Sequence, residues 1–256
     1  MCMPDIIVCY KWVIDSADIK IAPDSRELIL DRVDYRISDY DRNAIEEAVR
    51  LQERYGGTVT AVTAGTPAAK KSLKDVLSRG PEKACFVWDP AFAELEPSQT
   101  AAILASVISS HLKYDLIICG EGSGDLYAQQ VGPRLAENLG IPSAAFVSKI
   151  TIEDGHVIAE RKVEEGIEVV SMPLPALVTV LPEINTPRVP GLKDTLAAAK
   201  KPVLEIKGAD LGQFKPCLQT VKVLGAKMER QGEKFGAEPS EIGRFIGALF
   251  KEGVIA

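Results

Sequence analysis

The ordered pattern opens with Asp5 to Tyr10 (DIIVCY), five apolar residues in a row after one acid, as expected of a strand buried on both faces. Lys11 to Ile37 is long and irregular, with Glu27 to Leu30 as its one short apolar stretch. A connection of that length inside a compact domain usually has a function. From Ser38 the period changes to helical: Ala44, Ile45, Ala48, Val49 and Leu51 share one face, with Asp39 or Asp41 expected to cap the helix and Gly56-Gly57 to stop it. Thr58 to Ala64 is a β-branched strand, Pro67 to Arg79 a helix opened by proline, Ala84 to Trp88 a short strand and Pro97 to Leu112 a long helix. Leu116 to Cys119 is again a buried strand, and Val131, Leu135 and Leu139 mark a helix expected from Tyr127 to Asn138.

Strand and helix thus alternate from residue 5 to about 145. The alternation predicts an α/β fold: a doubly wound, mostly parallel, Rossmann-like sheet with helices on both faces. It also brings the strand ends at Cys9, Ala64 and Gly120 to one sheet edge, together with Ser38 to Asp41. After Pro142 the pattern becomes antiparallel: Ala145 to Ile152, His156 to Val163 and Ile167 to Met172, joined by turns at Glu153-Asp154-Gly155 and Glu164-Glu165-Gly166. Leu174 to Leu181 is a further buried strand. Pro182, Pro187 and Pro190 then keep the chain extended before a short helix from Leu192 to Lys201. That stretch, about 182–201, is either a surface connection or a loop shown to a partner. Two domains are expected: 1–202, a nucleotide-binding α/β domain with the antiparallel extension and the 182–201 loop, and 203–256, an arm and terminal helix. The arm has two strand-like pieces, VLEI and VKVL, and ends in an amphipathic helix, Pro239 to Lys251. That helix packs either on its own domain or on another subunit.

The candidate chemistry sits between the strand at Leu116 and the helix that follows. Gly120, Gly122 and Gly124 form a glycine-rich turn, GEGSGD, at the carboxyl end of a predicted parallel strand. Such a turn lets backbone approach an anion and aims the N–H groups of a helix start at it. The spacing is neither the dinucleotide fingerprint nor a P-loop, and a tight connection is the alternative. The polar run that follows, Ser123, Asp125, Tyr127, Gln129 and Gln130, offers donors and acceptors that a simple reversal does not need.

Composition narrows the classes. A net charge of −6 and pI near 5.2 argue against a nucleic-acid binder. No apolar run reaches the roughly 18 residues that span a membrane, and the opening MCMPDIIVCYKW does not read as a signal peptide, so a cytoplasmic protein is expected. The five cysteines, Cys2, Cys9, Cys85, Cys119 and Cys217, form no C-x-x-C pair and read as reduced core residues. His111 and His156 lie far apart, one ending a helix and one flanking a hairpin turn, without a metal or triad pattern.

Several of these stretches together resemble the β (small) subunit of electron-transfer flavoprotein. Val8 to Asp15 is similar to that family's V-x-V-K-x-V-x-D opening, Asn43 to Ala48 to its A-V-E-E-A helix, and Gln129 to Glu137 to its nucleotide loop and following helix. Ala159 to Lys201 carries Glu160-Arg161, L-P-A-L-V-T-V, N-T-P-R-x-P and a final A-K-K in family order. The form GEGSGDLYAQQVG is closest to the nitrogen-fixation and carnitine-metabolism branch, whose members work in electron-bifurcating or acyl-CoA-linked complexes. Ser38-Asp39-Tyr40 departs from the family's usual Asn-Pro-Phe.

The resemblance implies an adenine-nucleotide-binding subunit paired with an electron-transfer flavoprotein α subunit. It would pass electrons between an acyl-CoA dehydrogenase-type or quinone-reductase-type partner and other carriers. The nucleotide would be FAD in bifurcating members or AMP in single-flavin shuttles. Carried over by position, the pocket comprises Cys9, Ser38, Asp39, Tyr40, Asp41, Ala64, Gly120, Glu121, Gly122, Ser123, Gly124, Asp125, Leu126, Tyr127, Ala128, Gln129, Gln130, Val131 and Gly132. A pyrophosphate would meet the helix start at Tyr127 and the N–H groups of Gly122 to Asp125. Backbone at Cys9 and Ala64 would read the adenine, and Asp125 would cap the helix or meet ribose. Leu192 falls where the family places the apolar anchor of its docking loop. No side chain needs to act as acid or base, because the cofactor carries the chemistry. Two rival classes are a universal-stress-like nucleotide-binding module, which would lack the Ala159 to Lys201 motifs, and a nucleotide hydrolase or ligase, which would need a catalytic cation in the loop.

Overall fold

In the computed structural model, residues 3–216, 218–226 and 232–255 are described; Cys2 and Cys217 lie outside them. The strands are β1 (Asp5–Cys9), β2 (Trp12–Ile14), β3 (Lys20–Ile21), β4 (Leu28–Ile29), β5 (Tyr35–Ile37), β6 (Thr58–Gly65), β7 (Lys83–Trp88), β8 (Leu116–Gly120), β9 (Ser143–Glu153), β10 (His156–Val163), β11 (Gly166–Pro173), β12 (Ala176–Val180) and β13 (Val203–Lys207). The helices are α1 (Asp39–Tyr55), α2 (Ser72–Ser78), α3 (Pro97–His111), α4 (Val131–Leu139), α5 (Leu192–Ala198) and α6 (Pro239–Lys251).

Nine strands form one sheet in the order β11-β10-β9-β12-β8-β1-β6-β7-β13. Seven of them, from β9 to β13 in that order, run parallel; β9, β10 and β11 form an antiparallel hairpin pair at one edge. The doubly wound sheet and its antiparallel extension are therefore present. Successive strand residues face opposite layers, which divides the core in two. Ile6, Val8, Leu116 and Ile118 pack with α1, α2 and α5, whereas Ile7, Cys9, Ile117 and Cys119 pack with α3 and α4. Burial on both faces explains why β1, β8 and β12 read as unbroken apolar runs.

The irregular segment after β1 is built from short pieces. β2 pairs antiparallel with β5, and β3 with β4, in two separate two-stranded sheets. Pro67 opens a 3-10 turn through Lys71, and only from Ser72 does the chain become α-helical, so the single helix expected over 67–79 is two elements. Of the two strand-like pieces expected in the arm, Val203–Lys207 pairs in parallel with β7 at the sheet edge. Val221 to Leu224 forms no strand; Leu224 makes only a single bridge to Glu27. A second contact unit comprises 21–28 and the described residues from 223 onward, held by that bridge and by the Gly225 N–H donating to the Arg26 carbonyl at 2.8 Å. Within it α6 spans the expected residues and leaves Ile242, Phe245, Ile246 and Phe250 exposed. Among the described residues no helix is long and apolar enough to cross a membrane.

One close approach fixes the helix nearest the glycine-rich loop. A Cβ on Gly132, in the first turn of α4, would stand 2.4 Å from Thr179 Cγ2 on β12. Only glycine lets α4 lie this close to the sheet. Gly132→Ala is expected to destabilise the chain by about 1–3 kcal/mol through overpacking, read as a lower urea midpoint with an unchanged slope.

Candidate functional site

The strand order reverses at the β8–β1 neighbours: the chain builds outward from β1 through β6 and β7 on one side, and through β8 and β12 on the other. β1 leads towards α1 on one face of the sheet and β8 towards α4 on the other. Their outgoing loops diverge, and the crevice between them is where open α/β sheets bind ligands. Cys9 and Gly120 end the two strands, both half or more buried, and Ala64 is the penultimate residue of the adjacent β6.

The first turn of α1 returns to this crevice and stitches its walls together. The Ser38 N–H donates to the Lys11 carbonyl at 3.1 Å. Asp41 accepts from the Lys11 N–H at 2.8 Å and from the Gly120 N–H, one group from each strand exit. Gly120 must lack a side chain for this, since a Cβ there would lie 2.7 Å from Asp41 Oδ1 and 2.9 Å from the Tyr40 carbonyl carbon. Neither Asp39 nor Asp41 caps α1, contrary to the sequence reading. Ser38 is the N-cap residue, and its hydroxyl accepts instead from the Gly124 N–H of the glycine loop at 3.2 Å. Asp39 faces outward against Arg36 and Arg42. Burial pushes the Asp41 carboxyl from an ordinary 3.8 up to about 7, even against the two N–H donors and the Lys11 charge.

Residues 121–130 form an extended loop rather than the start of a helix. Tyr127 and Gln129 adopt left-handed φ values of 47° and 56°, and α4 begins only at Val131. The expected helix start at Tyr127 is thus four residues too early. Glu121 is buried; its N–H donates to the Val180 carbonyl at 3.1 Å, and its carboxylate accepts from the Tyr127 hydroxyl at 2.7 Å. That bond raises the Tyr127 hydroxyl to about 12. The Tyr127 ring lies 5.1 Å from that of Tyr40 and fills the space a Cβ on Gly122 would need, at 2.6 Å. Asp125 does not cap α4: it accepts from Ser123 Oγ at 2.5 Å, Lys11 Nζ at 2.5 Å and the Leu126 N–H at 2.8 Å. Partial burial opposes its charge, yet Lys11 and these donors hold its pKa below the ordinary value. Leu126 and Gln129 are exposed, Ala128 is half-buried, and Gln130 precedes α4 with its side chain accepting from Arg134 at 3.1 Å.

The N–H groups of Val131 and Gly132 open α4 without intrahelical acceptors, as in any first turn, and the Lys11 ammonium is bonded to Asp125 in the loop that leads into it. At Gly120, Gly122 and Gly132 the space a Cβ would need is taken by Asp41 and Tyr40, by the Tyr127 ring and by Thr179, so these glycines let the chain pack closely on itself. Among the described residues no nucleophile–base pair is assembled: His111 ends α3, His156 opens β10, and the Cys119 thiol is raised well above its ordinary value by its hydrogen bond with Cys9 and by burial. Leu192 opens α5, which packs on α2, and is 78% exposed. Three participants went unnoticed in the sequence reading: Lys11, Thr179 and Val180. Lys11 carried a signal, since it stands two residues after β1 within the opening run Val8 to Asp15.

The Asp41 position yields a pH dependence. The unfolded carboxyl ionises near 3.8 and the folded one near 7, so between these values the folded chain holds the extra proton. Stability therefore falls as pH rises through this window, by at most about 1.4 kcal/mol per pH unit, and is flat for this group outside it. Asp41→Asn is expected to remove that slope. Thermal unfolding of both proteins from pH 4 to 8 checks it, and parallel curves would refute it.

The family model for the electron transfer flavoprotein domain matches residues 27–211, well over half of the chain and including every strand from β5 to β13. The match covers the first turn of α1, the glycine loop and the proline-bounded stretch before α5, whereas β1 and Lys11 lie outside it. The chain belongs to the electron transfer flavoprotein domain family.

Proposed function

We propose that this chain is the β subunit of a heterodimeric electron-transfer flavoprotein and that the β8–β1 crevice holds the adenosine diphosphate part of a second FAD. The observation that carries the reading is charge neutralisation around the glycine loop. Three carboxylates border the crevice, which would repel a diphosphate, yet each is masked: Asp125 by Lys11 and Ser123, Glu121 by the Tyr127 hydroxyl, and Asp41 by burial between two N–H donors. In this reading the first-turn N–H groups of α4 and the Lys11 ammonium meet the phosphates. Backbone at Cys9 and Ala64 meets the adenine, and Ser38 holds the loop in place through Gly124. The ten-residue loop from Glu121 to Gln130 supports the diphosphate of FAD over the single phosphate of AMP.

When bound, FAD supplies one- and two-electron redox chemistry; the chain's residues bind it, orient it and set the charge around it. The exposed apolar side of α6 and its arm fit an α subunit carrying the other flavin. The loop around Leu192 fits an acyl-CoA dehydrogenase-type or quinone-reductase-type partner, consistent with bifurcating electron transfer.

The test is a nucleotide count on the heterodimer after acid extraction. About two FAD and no AMP are expected for the wild type. Lys11→Met, which unmasks Asp125 beside the phosphates, is expected to lower occupancy of the second site at least tenfold while the first FAD stays. One FAD with one AMP would replace the bifurcating reading by a single-flavin shuttle. Absence of any nucleotide from this subunit would sink both.

A further inference from the structure

The loop that leads into α5 is held largely by α1, across more than 130 residues of sequence, with Arg79 at the end of α2 also donating to the Arg188 carbonyl at 3.4 Å. Asn43 Nδ2 donates to the carbonyls of Pro182 and Asn185, each at 2.8 Å, and Asn185 Nδ2 donates back to the Asn43 carbonyl and to Glu47 Oε2, each at 3.0 Å. Three residues on, Arg188 lays its guanidinium along the same helix. It donates to Glu46 through Nε at 2.8 Å and Nη2 at 3.3 Å, and to Glu53 through Nη1 at 2.8 Å. The Arg188 N–H also donates to Glu46 at 3.1 Å. The Glu46 side chain is 4% exposed and is further held by Arg50.

A buried carboxylate with a forked guanidinium contributes little net stability, because desolvation offsets most of the attraction. What such a pair fixes is direction: five planar donors match only one approach. Directly beyond the clamp come Val189 and Leu192, 92% and 78% exposed, with Leu196 one helical turn later. An apolar anchor at the junction of an extended, proline-bounded segment and a short helix loses affinity through its own freedom unless something immobilises it beforehand.

We propose that Arg188, seated on Glu46, is a positioning residue for partner docking: it fixes the angle at which the Leu192 loop is presented, and Asn185 fixes the loop's start. This rests on the reading of that loop as the docking loop. The clamp is static, with no second arrangement of α1 required.

The experiment uses the intact heterodimer and, as probe, a medium-chain acyl-CoA dehydrogenase reduced with octanoyl-CoA, following flavin reduction against dehydrogenase concentration. Arg188→Gln is expected to raise the half-saturating concentration about tenfold, leave the limiting rate within twofold and leave nucleotide content unchanged. Arg188→Lys, which keeps the charge and loses the fork, is expected to recover only part of the loss. Hydrogen–deuterium exchange of amides 189–198 is expected to accelerate in Arg188→Gln and not in Leu192→Ala. If Leu192→Ala weakens docking while Arg188→Gln changes neither half-saturation nor exchange, the positioning role is overturned and the docking loop stands. If Leu192→Ala has no effect on half-saturation, the docking reading fails and the proposal with it.

Discussion

The structure depends on a carboxylate placed where two strand exits part. β1 and β8 are neighbours, and the loops leaving them go to opposite faces of the sheet. Nothing in a parallel ladder ties such loops together, since backbone pairing stops at the strand ends. Asp41 does it from the first turn of α1, accepting from the N–H after each strand's last layer, at Lys11 and at Gly120. The geometry admits no side chain at Gly120, so the glycine and the acid belong to one device. The cost is a buried carboxyl with a raised pKa; the gain is a crevice whose two walls are set relative to each other before any ligand arrives.

The same economy governs charge. The chain carries a net charge of −6, and three of its acids lie around one crevice. Each of these acids is satisfied locally by neighbouring donors. Lys11 illustrates how one residue serves several ends: its carbonyl accepts from Ser38, its N–H donates to Asp41 and its ammonium pairs with Asp125. Because all three contacts converge on residues from different segments, the loop from Glu121 to Gln130 is tied to β1 and to α1 rather than standing free.

Much of this was legible from hydrophobic period alone. The alternation of buried runs and helical faces gave the doubly wound sheet, and it placed Cys9, Ala64, Gly120 and Ser38 to Asp41 at one edge, as found. The start of α4 was misplaced for a reason that was also in the sequence. Pro133 has no N–H and its ring clashes with the carbonyl four residues earlier, so a helix running through Gln129 was excluded from the outset. The left-handed turns at Tyr127 and Gln129 were not legible, because neither residue type favours them; the Tyr127 hydroxyl bond to Glu121 and the ring contact with Tyr40 hold the first in place. The capping error at α1 has a similar origin: Asp41 is a good capping residue in isolation, but a tertiary pair of donors competes for it.

What no local pattern could reveal is that the N-terminal half of α1 serves two places at once. Its first turn closes the crevice through Ser38 and Asp41, and its middle turns hold the loop before α5 through Asn43, Glu46 and Glu47. A helix of 17 residues is rigid over the roughly 25 Å it spans. Two sites fixed to one rigid rod keep a constant separation, whatever occupies either. Electron transfer between carriers depends on distance and orientation rather than on assembled catalytic groups, so a fixed frame suits the electron transfer flavoprotein family better than a hinge would. The run Asn43 to Ala48 and the run Asn185 to Arg188 then have one shared cause, since each supplies the polar groups that the other buries.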